Sequence, residues 1–167
     1  MDLSSIINKF AAFLLTLTVI VFTVNSKGYA QYSFGDLEVT SLKKVFDVSN
    51  SDLWGDKTPR NIYPFQGDSD IWDDHPLAGL IIKKDLRRAN FLTKQKNSKK
   101  LMNKLTTQLV EQFESGDTVQ VDDPLVIPPK DIEMKRWIHR EEENRYKILL
   151  GISGENILLV ITQKNEQ

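Results

Sequence analysis

The sequence predicts an α+β fold, built as an N-terminal signal or anchor helix, two central helices and a C-terminal antiparallel β-meander. Three observations carry that prediction. Residues 10–24 (FAAFLLTLTVIVFTV) form an uncharged apolar run almost at the start of the chain. Leu101, Leu105, Leu109 and Phe113 recur every fourth residue, a spacing that lays one apolar stripe along a helix. Near the end, ILLGI and ILLVIT are separated by Gly154, Glu155 and Asn156, the pattern of two strands joined by a turn.

The apolar run comes first. As a helix its fifteen residues would extend about 22 Å, short of the roughly 30 Å hydrocarbon core of a bilayer. Lys9 precedes it and Asn25, Ser26 and Lys27 follow, the layout of a secretory signal peptide. Gly28 and Ala30 place small residues where a signal peptidase needs them, and cleavage after Ala30 would leave Gln31 first. The alternative keeps residues 6–24 as a membrane anchor, with Ile6 and Ile7 lengthening the helix and Lys9 snorkelling toward headgroups. Both readings divide the chain into residues 1–30 and a single domain at 31–167. Both place that domain outside the cytoplasm, in the periplasm or secreted, with membrane contact through the N-terminal segment only if it is uncleaved.

The 137 residues that remain suit one domain with a genuine core. The chain has no cysteine, which excludes disulfides, thiol catalysis and thiolate metal sites. Its overall charge of −1 hides an uneven distribution. Residues 31–76 carry nine acids and four bases, residues 77–110 one acid and nine bases, and residues 111–167 twelve acids and seven bases. A basic island therefore lies between acidic flanks. Nucleic acid is a poor candidate partner for it, because an exported domain seldom meets nucleic acid. Neutralisation by the acidic flanks is the plain reading, and anionic lipid is a further one.

Within the domain, Ser41 ahead of Leu42, Val45 and Phe46 predicts one short capped helix. Residues 51–76 lack periodicity and are rich in Asp, Gly, Pro and aromatics, so a long ordered loop is expected there. It contains an internal echo, SDLWGD at 51–56 and SDIWDD at 69–74, which reads as two turns each pinned by a tryptophan. The first central helix is expected over 76–91. Pro76 opens it, Leu77, Leu80, Ile81, Leu86 and Phe91 face inward, and Arg87 with Arg88 complements the dipole. Gly79 weakens that helix, and Leu80, Ile81 and Ile82 fit a short buried strand instead. The second helix runs from Lys99 to the break at Ser115 and Gly116. Strands follow at 118–121, 125–127, 134–140, 146–152 and 157–162, with a helix over 132–143 as the competing form of the third.

The chemistry is sparse. Two histidines, His75 and His139, cannot supply a zinc site by themselves, and Gly151-Ile152-Ser153-Gly154-Glu155 lacks the second glycine of a nucleophile elbow. No metal, no cofactor and no catalytic residue is expected. Asp68, Asp70, Asp73 and Asp74 are dense enough to suggest calcium, but Trp72 and Asp73 stand where an EF-hand loop needs an oxygen donor and a glycine. The expected function is a non-enzymatic envelope protein, a protein-binding subunit of an extracytoplasmic assembly. Its candidate binding residues are Trp54, Tyr63, Phe65, Asp70 and Trp72 in the loop, since aromatics dominate hot spots, and Lys83, Lys84, Arg87 and Arg88 in the basic island. The alternative is a carbohydrate-binding or carbohydrate-active domain that uses the carboxylates and indoles of loop 51–76.

Overall fold

The computed structural model describes residues 31–165 apart from 51, 74, 76, 95–98, 124–126 and 129. The signal or anchor reading of residues 1–30, and most of the strand expected at 125–127, lie outside the described residues. In order, the elements are β1 (Tyr32–Phe34), β2 (Leu37–Val39), a 3-10 helix (Leu42–Phe46), β3 (Ile62–Pro64), β4 (Trp72–Asp73), β5 (Gly79–Lys83) and β6 (Leu86–Thr93). The helix α1 (Lys99–Phe113) is followed by β7 (Asp117–Asp122), β8 (Asp131–Glu141), β9 (Asn144–Ser153) and β10 (Asn156–Asn165).

The structure corrects the expected fold class. About half of the described residues are in strands, and α1 is their one α-helix. The first of the two expected central helices, over 76–91, is instead the hairpin β5–β6, with Lys83 opposite Leu86 across the turn Lys84-Asp85. Two features favour strands. Ile81 and Ile82 are β-branched, and apolar residues fall on both sides of the segment, as a two-sided sheet requires and a one-striped helix does not. Gly79, which weakens a helix, serves the sheet: a Cβ there would lie 2.6 Å from the Tyr63 carbonyl oxygen of the adjoining strand.

The main sheet is antiparallel throughout, in the order β3-β5-β6-β10-β9-β8-β7, with β4 paired to the end of β6. Its second half is a meander whose strands are joined by the turns Glu142-Glu143 and Gly154-Glu155. The first residue of each turn is left-handed, with φ 54° at Glu142 and 59° at Gly154.

Two layers of apolar side chains explain why β9 and β10 read as unbroken apolar runs. On one face Tyr146, Ile148, Leu150, Ile157, Leu159 and Ile161 are buried beneath α1, the β1–β2 hairpin and the 3-10 helix. On the other face Leu149, Leu158 and Val160 join Ala78, Leu92 and Met134 in a second cluster. Alternation disappears because both sides are covered. Helix α1 buries Leu105, Leu109 and Phe113 against the first layer, as the four-residue spacing requires.

Candidate functional site

The aromatic residues of loop 51–76 go into the core. Trp54 is 3% exposed, Phe65 3% and Trp72 0%, and their rings meet Phe91 at centroid distances of 5.8, 5.3 and 5.6 Å. Each indole N–H is used internally. Trp54 Nε1 donates to the Val45 carbonyl at 2.8 Å and Trp72 Nε1 to the Phe34 carbonyl at 2.9 Å. The third tryptophan behaves alike, with Trp137 Nε1 donating to the Glu114 carbonyl at 3.0 Å. Tyr63 is half-buried against the same cluster.

Asp70 is exposed, and its backbone N–H donates to Asp36 Oδ2 at 2.8 Å. Ser69 Oγ donates to the other Asp36 oxygen and accepts from the Ile71 and Trp72 N–H groups, so this copy of the echo is a turn that locks its tryptophan inward. Trp54, Phe65 and Trp72 thus present no open face to a partner surface or a sugar ring.

The cationic candidates separate. Lys83, Lys84 and Arg87 surround the β5–β6 turn, where a depression of about 410 Å³ is lined by that turn and Gln163. Arg87 alternates with Arg88 along β6 and lies on the α1-covered side of the sheet. Arg88 points to the opposite side, into a cleft of about 360 Å³. That volume lies toward the small end of the range usual for small-molecule sites, roughly 300–1,000 Å³.

The cleft receives side chains from all seven strands of the main sheet's continuous order, from Ile62 on β3 to Val121 on β7. Seven flat strands at about 4.8 Å spacing would hold those edges nearly 30 Å apart. One small cleft touched by both edges means that the sheet curls around it.

Register orders the cleft face into rows. Thr162 lies opposite Arg88 on one side and Lys147 on the other, giving a row of cation, hydroxyl and cation. The next row contains Asn90, Val160, Leu149 and Arg136, and the one beyond it Leu92, Leu158, Met134 and Val119. The face thus passes from cationic to apolar across four residues of β10, about 13 Å.

The cations differ in their partners. Arg136 pairs with Asp117, Nη2 to Oδ2 at 2.8 Å. Among the described residues no carboxylate lies within ion-pair distance of Arg88 or Lys147. Burial, then Arg88, then Arg136 hold the Lys147 ammonium below the usual lysine range. Between the cations, Thr162 is 6% exposed and its Oγ1 has no hydrogen-bond partner among the described residues, an arrangement that costs about 1–3 kcal/mol for a buried polar group. Among the described residues the lining's one carboxylate is Asp122, which register places at the far end, past the apolar row.

Sequence reasoning named Arg88 and missed Thr162, Lys147 and the apolar floor. The available signal was Lys147 itself, the one charge in the otherwise apolar YKILLGI. Among the described residues there is no cluster of three or more His, Asp or Glu side chains that could hold a metal ion. Also among them, no helix is long and apolar enough to cross a membrane. Comparison with family models, with curated proteins and with solved structures found no significant match to this chain.

Proposed function

We propose that the domain at 31–167 is a non-enzymatic binding protein of the extracytoplasmic space, and that its working surface is the cleft inside the curled sheet. The observation that carries this reading is the junction of an apolar floor with two cations that have no carboxylate partner among the described residues, in a space the size of a small ligand. Apolar walls supply affinity and a few placed polar groups supply orientation. Among the described residues the lining contains no histidine and no serine, and those present suit holding a molecule better than acid–base turnover. Export is supported by the apolar run at 10–24 and its polar flanks. This reading moves the expected binding surface from the aromatic loop to the sheet face that Arg88 shares.

The absence of cysteine makes a direct test simple. Asn90→Cys places a unique thiol in the cleft lining, and Asp52→Cys places one on an exposed turn. The neutral apolar dye Nile red should bind at one equivalent. A bulky maleimide at position 90 should abolish that binding, and the same group at position 52 should leave it intact. Dye binding indifferent to the block at 90, or no binding at all, overturns the proposal.

A further inference from the structure

We propose that the cleft takes an amphiphile with one long acyl chain and a single anionic head, the head seated between Arg88 and Lys147 and the chain laid along Val160 and Leu158. The inference rests on the cleft being the binding surface, and adds the chemistry of what fills it. Three independent features of the cleft select that chemistry.

The first is charge. Arg88 and Lys147 flank one position, and neither has a carboxylate within ion-pair distance among the described residues. Two like charges held this way disfavour each other, and an anion between them relieves both. The second is the hydroxyl. Thr162 occupies that flanked position, is more than nine-tenths buried, lines the cleft and has an Oγ1 with no partner among the described residues. A head-group oxygen would accept a hydrogen bond from it while also meeting the two cations. The third is the direction of the apolar floor. Leu149, Val160, Leu92, Leu158 and Met134 continue from the cationic row along the strands, so the site is cationic at one end and has an apolar floor beyond it, with Asp122 only at the far end. A small inorganic anion would leave that floor unused, and a neutral hydrocarbon would leave the cations and the hydroxyl unanswered.

Hexadecanoate is the probe, read by displacement of Nile red and compared with hexadecan-1-ol, which has the same chain without the charge. Hexadecanoate should displace the dye at least tenfold more effectively than the alcohol, about the factor expected when charge-assisted hydrogen bonds are lost. In the Arg88→Gln/Lys147→Gln double variant that preference should disappear while Nile red still binds. Thr162→Val keeps the β-branched shape and removes only the hydroxyl. It should weaken hexadecanoate severalfold without lowering the urea midpoint of the free protein, since the deleted hydroxyl has no partner there. A residue with a purely structural role would not separate those two readouts.

Equal displacement by acid and alcohol, or a double variant that keeps the preference, overturns the anionic head and leaves the cleft as a binding site. Failure of Nile red to bind the parent protein removes both.

Discussion

At the residue scale, aromatic side chains hold the fold by both their area and their polar atom. Trp54, Trp72 and Trp137 each bury a large ring and fix one distant backbone carbonyl, on the 3-10 helix, on β1 and at the end of α1. Trp72→Phe removes the indole donor to the Phe34 carbonyl and leaves a void beside Phe91. It should cost about 2–4 kcal/mol in urea unfolding. The sequence displayed these aromatics clearly, yet the same apolar area serves a core or a hot spot, and only burial separates the two. Tyr146 is more unusual. Burial chiefly, then Glu141 and Glu142, push its phenol well above the ordinary tyrosine range, and its hydroxyl has no hydrogen-bond partner among the described residues. The phenol ionises more readily in the unfolded chain, so the unfolded state gives up its proton first as pH climbs past about 10. Stability should therefore be intact below that value and fall above it. Tyr146→Phe should flatten the decline in urea midpoint between about pH 9 and 11. A smaller slope should persist from Tyr32, which burial and Glu141 also raise.

At the element scale, α1 substitutes for a strand. Gln108 Oε1 accepts from the Gly35 N–H at 2.9 Å while its Nε2 donates to the Gly35 carbonyl at 3.0 Å. One turn later Gln112 does the same for Ser33, accepting from its N–H and donating to its carbonyl at 2.9 Å. Two amides spaced i, i+4 thus pair with the open edge of β1, whose other edge pairs with β2. Gln112→Ala or Gln108→Ala should each cost about 1–3 kcal/mol in urea unfolding by leaving two backbone groups unpaired. The helix ends on Glu114 at φ 65°, and not on the expected Gly116. Glu114→Gly should accordingly raise the thermal midpoint by the equivalent of about 0.5–1 kcal/mol. Legibility followed from periodicity. Helix α1 was readable because its stripe repeats every four residues, and β9 and β10 were readable because turn residues interrupt them, whereas β8 left a helix over 132–143 as a competing reading. The β5–β6 hairpin was not readable. Its apolar residues serve two faces, so no alternation survives, while a proline before it and two arginines after the turn imitate helix ends.

At the scale of the whole molecule, the curl of the sheet converts scattered residues into one site. Arg88 and Thr162 are 74 positions apart in sequence and adjacent across β6 and β10. The cation was visible in the basic island, but its neighbours follow from strand order and register, which sequence patterns do not specify at that range. The site also carries a stability cost that its function would explain. Partial burial and then two neighbouring like charges disfavour the Lys147 ammonium, so Lys147→Gln should raise the urea midpoint at pH 7 while weakening anion binding, the trade expected of residues kept for a ligand. The central claim is that the cleft is occupied when the protein works. Native mass spectrometry of the protein recovered from its own source, without denaturant, tests this most directly. It should show a one-to-one complex with a small molecule, and that complex should be absent from the Asn90→Cys variant once a maleimide blocks its single thiol. A bare polypeptide mass in every preparation, or an adduct that survives the block, would contradict it.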